Sequence, residues 1–370
     1  MIGQDYKVHF QKTQKKYIKL EILNDKDIKV DEIQGVAVDG NITIDAMAIM
    51  RRVCDLRFIF SKKFLPNESS PIWLNKRFRL LVGIENIITN EVVYFNFGVF
   101  IISNPTIDIQ ISGEFMSIKG YDKTCMLDGT ISGELDTKIV INQDTPIHDA
   151  IRSTAEILGG ETRLLIDTHE YNTPYKIEKD AGTTVWEILD ELRKLYMNWE
   201  LYYDVDGYLR FNKIKNKLND MVIYDFLNDD LITAKTIEID FENIKNYFRV
   251  YGKLKEDGSQ PMAEISITNA NYPNSPFTIE KIKKRSLIKT EDNYFTEDAC
   301  IQRAEYEKFL HTNFNEKVNF TCIPLLFLDV NKLINFNSPN HNLFGKYVIE
   351  NISLGLKFDS LMNITAYKVY

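Results

Sequence analysis

Along residues 1–130, apolar side chains recur at every second position, the period of a half-buried strand. Tyr6, Val8 and Phe10 alternate with polar neighbours, as do Ile18, Leu20 and Ile22. Val36 and Val38, then Asp39-Gly40-Asn41, then Ile42 and Ile44 read as two strands around a hairpin turn. Leu56–Phe60, Phe78–Ile84, Val92–Ile102, Thr106–Ile111 and Phe115–Tyr121 predict further strands, with Asn104-Pro105 and Ser112-Gly113 breaking the last three apart. Roughly eight short strands with frequent turn residues predict a barrel or sandwich. Lys62–Trp73, with two prolines and two serines, predicts a long loop.

The period changes over residues 131–215. Thr145-Pro146 starts a helix whose Ile147, Ala150, Ile151 and Leu158 share one face, and Gly159-Gly160 ends it. Thr184 and Glu187 form a capping box for a second helix, lined inside by Val185, Ile188, Leu189, Leu192, Tyr196 and Trp199. A hairpin follows, Trp199–Tyr203 and Tyr208–Phe211 around Asp204-Val-Asp-Gly207. Residues 216–370 return to alternation. Ile232–Asp240, Tyr247–Tyr251, Ile265–Ile267, Lys317–Cys322, Tyr347–Ile352 and Asn363–Val369 predict strands, and Thr296 caps a helix over Glu297–His311. No short-period repeat is visible. A divergent duplication would relate the two flanking β-rich regions, but the sequence alone does not show one.

A length of 370 residues predicts two or three domains, and 44% hydrophobic with 26% charged residues is ordinary for a soluble fold. A net charge of −8 argues against a dedicated nucleic-acid binder, which carries a basic stripe. The densest basic cluster, Lys281, Lys283, Lys284 and Arg285, reads as a solvated turn. The N-terminal residues lack the basic-then-apolar pattern of a signal peptide, and no apolar run reaches the roughly 18–20 residues that span a bilayer. The expectation is a chain made in a cytoplasm, with no signal peptide, no transmembrane segment and no stable membrane binding.

Signatures of catalysis are missing. There is no GxSxG elbow, Walker loop or dinucleotide-binding glycine pattern. His9, His148, His169, His311 and His341 are scattered without metal-site spacing. Cys54, Cys125, Cys300 and Cys322 lie far apart and read as buried apolar residues. Asp204–Gly207 lacks the twelfth-position glutamate of a calcium loop, where Lys215 stands. No catalytic, cofactor or metal residue is therefore expected, and no enzymatic activity. The remaining candidates are apolar on both strand faces: Tyr94, Phe95, Phe97, Val99 and Phe100, and Leu325, Phe327 and Leu328 after Pro324. That pattern belongs to a strand covered on both sides, by core or by a second subunit.

Several segments, in order, resemble phage tail hub proteins: the baseplate hub of contractile tails and the N-terminal hub part of tail-associated proteins in long non-contractile tails. Phe97-Gly-Val-Phe-Ile-Ile-Ser-Asn-Pro-Thr106 resembles a strand and turn of that family, and Lys119-Gly-Tyr-Asp-Lys123 a strand end. The helix after Thr183, with the Asp206-Gly-Tyr-Leu209 hairpin, resembles its central module. Asn271–Arg285 resembles a family turn, although Lys283 or Lys284 stands near where glycine is usual. Gln302–Glu307, Pro324–Val330 and Gly345-Lys-Tyr-Val-Ile349 resemble its later helix and strands. The resemblance spans about residues 90–370.

The resemblance implies a mainly β fold with an α+β insertion: tube-like β-barrel domains over residues 1–130 and 216–370, the second with an inserted helix, and a small α+β module over 131–215. It implies a homotrimer whose six barrels form a ring, joining a six-fold tail tube to a three-fold tip. Implied partners are a tail tube or distal tail protein, a tape-measure protein and a tip spike or fibre protein, in the virion tail. DNA would only pass through the enclosed channel, whose wall is expected to be negative. The chain stops at Tyr370 soon after its last strand, so a wall-degrading C-terminal domain is expected to be absent. The competing expectations are a distal-tail or receptor- or carbohydrate-binding tail protein, and a cell-wall-degrading tail enzyme.

Overall fold

The computed structural model describes residues 4–369 except 12–13, 36, 112, 197–198, 215–218, 229, 312–314 and 342. The first region supplies β1 (Lys16–Leu23), β2 (Lys29–Gln34), β3 (Ala37–Asp45), β4 (Arg52–Ile59), β5 (Arg77–Glu85), β6 (Val92–Gln110) and β7 (Gly113–Tyr121). The middle supplies β8 (Ile139–Ile141), α1 (Ile147–Ser153), β9 (Leu164–Ile166), β10 (Ile177–Lys179), α2 (Val185–Lys194), β11 (Trp199–Tyr203) and β12 (Leu209–Lys213). Next come β13 (Val222–Leu227), β14 (Ile232–Asp240), β15 (Tyr247–Tyr251), β16 (Met262–Ser266), α3 (Ile279–Ile282), β17 (Ser286–Thr290) and α4 (Glu297–His311). The chain closes with β18 (Asn315–Cys322), β19 (Leu333–Ser338), β20 (Leu343–Gly355) and β21 (Met362–Lys368). The fold is mainly β with an α+β insertion, as expected.

The two flanking regions do not stand apart. Their strands hydrogen-bond into one thirteen-stranded sheet, in the order β14-β18-β21-β20-β3-β4-β7-β6-β5-β1-β2, with β19 also beside β20 and β13 beside β19. The junction is the antiparallel pairing of Asn351–Gly355 in β20 with Asn41–Asp45 in β3. One apolar core runs beneath both halves, from Ile42, Phe58, Phe78 and Phe100 to Phe336, Tyr347, Leu354 and Ile364. Burying such side chains stabilises by about 1.5–3 kcal/mol each.

The topology reveals the duplication that the sequence hides. The order β3-β4-β7-β6-β5 is repeated as β14-β18-β21-β20-β19, antiparallel throughout. β3 and β14 each shift register after their first residue, between Ala37 and Asp39 and between Ile232 and Ala234. This aligns Asn-Ile-Thr-Ile-Asp45 with Thr-Ile-Glu-Ile-Asp240. Gly98 and Gly345, at φ 139° and 110°, stand at matching points of β6 and β20, each two residues before a fully buried ring, Phe100 or Tyr347.

The middle region folds as read except at the first helix: Pro146 is itself the N-cap, with no side-chain cap, and Leu158, at the end of a π-helical turn over Thr154–Leu158, is exposed instead of on the buried face. Thr184 and Glu187 exchange both capping-box bonds at the start of α2, and α1 follows Pro146. Its core gathers Ile147, Ile151, Leu189, Leu192, Trp199 and Phe211.

Five readings need correction. Asn104-Pro105 does not end a strand: β6 runs through it to Gln110, with only a register shift between Ser103 and Thr106. Gln4–Phe10 is a 3₁₀ helix, not a strand, seated by buried Val8 and His9. Asp39-Gly40-Asn41 is not a turn but the middle of β3. A side chain at Gly40 would meet the Asp55 carbonyl at 2.5 Å and Leu356 at 3.1 Å, so glycine serves close packing there. Val36, the other part of that reading, lies outside the described residues. Leu325–Val330 is no strand but a buried turn packed on the core. Finally, Tyr247–Tyr251 and the strand near Ile265 leave the large sheet. They form a separate sheet, β16-β15-β17, under α4, hung between β14 and β18 with a small core of Val250, Ala263, Tyr294, Cys300 and Ala304.

That appended unit holds one lysine in a strained backbone conformation. Lys283 has φ 63° and ψ 168°, a region close to glycine-only. Its carbonyl accepts from Nδ2 of Asn246 at 2.8 Å, and Asn246 is fully buried. We expect Lys283→Gly to raise stability by about 1 kcal/mol by releasing this strain. A thermal melt checks it; an unchanged or lower Tm would show that the backbone relaxes at no cost.

Candidate assembly surface

The described residues bring together no reactive constellation. No group of three His, Cys, Asp or Glu side chains is placed to hold a metal ion. His9 is sealed in the core, and His169 lies in an aromatic nest of Tyr196, Trp199 and Phe211. Burial lowers both imidazoles to about 4. His311 pairs with Glu307, which raises its pKa. All four cysteines are buried, and burial pushes each thiol up, Cys322 to about 12. Asp204 accepts from the backbone N–H groups of Asp206 and Tyr208 and from Arg210, so its carboxylate organises the hairpin turn.

A cleft of about 660 Å³ opens between the large sheet and the β11–β12 hairpin. Its charged walls pair with each other. Arg51 meets Glu200 at 3.2 Å and stacks 3.6 Å over the Tyr202 ring, and Arg52 donates to both oxygens of Asp329 at 2.8 and 2.6 Å. Asn212 and Asn331 donate to Glu200. These contacts fasten the module to the sheet; Asp167, Asp206 and Lys332 also line the cleft. Behind them Lys123, almost fully buried, donates to Asp27 at 3.1 Å and to the Gly207 carbonyl at 3.0 Å, and pairs with Glu161 at 2.7 Å.

The apolar stretches singled out from sequence divide. Phe97, Val99, Phe100, Leu325 and Leu328 are buried within the single chain, so they are core and present nothing to a second subunit. Tyr94, Phe95 and Phe327 are half-buried, and the last two pack against the core. Tyr6 and His9 contact the Phe95 and Phe327 rings edge-on or tilted at 4.9–6.0 Å. The two-sided apolar pattern is satisfied by the N-terminal 3₁₀ helix and by the other half of the sheet, neither of which a local reading can supply.

The exposed apolar surface lies elsewhere. Among the described residues β14 pairs with β18 alone, and its Ile237 and Ile239 are exposed. Seven strands along the sheet from β14, Ile109 projects from the far half of β6, where Thr106–Ile109 pairs with β7, and Ile111 is exposed in the turn that follows. Exposed strand edges with apolar side chains are templates for pairing with another chain. Nothing in the local sequence distinguishes these isoleucines from core ones. No described helix is long and apolar enough to cross a membrane.

Residues 274–370 match a family described as a domain of unknown function (DUF5048). No curated protein sequence matches the chain. Among solved structures, the 43 kDa tail protein of prophage MuSo2 from Shewanella oneidensis is similar over 95% of this chain and 98% of its own, with a TM-score of 0.63 at 15% identity. The tail protein from Neisseria meningitidis MC58 covers 95% and 96%, with a TM-score of 0.65 at 10% identity. Prophage tail protein gp18 from Listeria monocytogenes EGD-e covers 95% and 94%, with a TM-score of 0.58 at 11% identity. The resemblance carried by the sequence motifs holds at the level of the whole chain: its fold is that of phage tail proteins.

Proposed function

We propose that this chain is a non-enzymatic hub subunit of a phage-type tail, three copies of which close into a ring around a channel. The observation that carries this reading is the end-to-end likeness of fold to tail proteins, 95% of the chain against 94–98% of each of the three. The repeated β unit supports it, because two similar units per chain let three chains present six, matching a six-fold tube on one side and a three-fold tip on the other. On this reading its partners are a tail tube or distal tail protein, a tape-measure protein and a tip spike or fibre, in the virion tail. DNA passes without being held, in keeping with the net charge of −8.

Light scattering on the purified chain, alone and with tube and tip partners, tests the ring. A species of three times the chain mass, annular by negative-stain imaging, is expected. A strictly monomeric chain in every mixture, or clearing of peptidoglycan in a zymogram, would overturn the reading.

A further inference from the structure

We propose that the far half of β6 pairs with β14 of the next copy, repeating between chains the junction that β20 makes with β3 within one chain. This rests on the ring reading above and names the surfaces that close it.

The argument comes from the duplication. Register through β7 and β21 places Met116 at the position of Met362, and Ile102 at that of Ile349. Ile107 and Ile109 of β6 then stand where Leu354 and Leu356 stand in β20. Ile237 and Ile239 of β14 stand where Ile42 and Ile44 stand in β3. Within the chain these last four partners meet: Leu354 faces Ile42, and the N–H of Leu356 donates to the Gly40 carbonyl at 2.9 Å. The contact buries Ile42 and Leu354 completely, leaving Ile44 at 2% and Leu356 at 3% exposure. Their counterparts have the same chemistry and less cover: Ile107 is half-buried against the chain's own core, and the other three are exposed. Ile237 is 36% exposed, Ile239 50% and Ile109 76%. Identical strand positions differ in burial because one junction is filled by the chain itself and the other awaits a copy.

The register follows. Thr106 faces Glu238 of the next copy, Ile107 faces Ile237, Asp108 faces Thr236 and Ile109 faces Lys235, whose aliphatic stem covers it. No like charges oppose each other. Pro105, which stands where Ile352 stands in β20, has no N–H to donate, so this junction makes one hydrogen bond fewer than the internal one. The contact is heterologous: a different edge is offered on each side, so it makes no isolated symmetric dimer, and with a three-fold rotation between copies its repeated use closes the ring.

Cross-linking tests the register. Thr106 and Glu238 are both exposed, and directly opposed strand residues lie within disulfide reach. The buried native thiols do not compete. Under mild oxidation the Thr106→Cys/Glu238→Cys double variant is expected to give covalent dimers and trimers on a non-reducing gel. A mixture of the two single variants is expected to give heterodimers through this bond, and each single variant alone none. Ile109→Asp and Ile239→Asp are expected to keep the native Tm and weaken self-association at least tenfold by sedimentation. A chain that forms rings without these cross-links overturns the junction and leaves the ring standing. A chain that neither assembles nor cross-links sinks both.

Discussion

Lys123→Met is expected to destabilise the chain by about 3–5 kcal/mol, the usual cost of breaking a buried ion pair from one side. The ammonium sits between Asp27, on the β1–β2 turn of the large sheet, and Glu161, after α1 in the middle module. Arg77 and Arg163 also reach Asp27, at 3.0 and 3.3 Å, so that carboxylate keeps cations when Lys123 is lost. Glu161 keeps the Tyr203 hydroxyl at 2.9 Å and the Arg163 N–H at 2.8 Å but loses the lysine charge. Lys123→Met/Glu161→Gln should therefore recover a large part of the loss, because it removes the stranded charge. Urea denaturation of the two variants decides it. A cost below about 1 kcal/mol for the single variant, or no recovery in the double, would show that the cluster does not hold the module to the sheet.

The second large effect is an acid sensitivity seated at His9. Its Nδ1–H donates to the Tyr6 carbonyl at 2.9 Å, so Nε2 is the acceptor for the Leu326 N–H at 3.0 Å. The ring thus pins the N-terminal 3₁₀ helix to the buried 324–328 turn in its neutral form. Burial lowers its pKa from 6.5 to about 4, so between those values the unfolded chain binds the extra proton. Stability is full above pH 6.5 and falls by about 3 kcal/mol as the pH drops to 4. His169, lowered to the same value, adds a comparable slope over the same window. His9→Leu should cost about 2 kcal/mol at pH 7, by stranding two backbone groups, and should halve the slope between pH 4 and 6.5. Urea midpoints at a series of pH values measure both, and an undiminished slope in the variant would assign the sensitivity elsewhere.

Local chemistry was legible wherever it was self-contained. The capping box at Thr184 and Glu187 and the Asp204 turn each use residues within four positions, and both form. What sequence could not reach depends on distant partners. Gly40 looks like a turn residue until Asp55 and Leu356 are seen pressing on it. Leu325–Val330 looks like a strand until the core takes both its faces. Short elements such as β8, β9 and β10, of three residues each, carry too few positions for a period to register. The apolar stretches singled out from sequence are internal for a related reason. The greasiest stretch, Phe97–Phe100, is the most fully internal, whereas Ile237 and Ile239 alternate with polar residues like any half-buried strand.

The unit containing β15–β17 and α4 leaves the large sheet at Asp240 and returns at Asn315, and these two residues are direct partners in the β14–β18 pairing. Its stalk is therefore a closed pair of strands, and the sheet sees the same geometry whatever is grafted between them. The corresponding loop in the first half, between Asp45 and Arg52, spans only six residues. Relatives should differ most in length at these two places, and an epitope or reporter domain inserted between Asp240 and Asn315 should leave the rest of the fold intact.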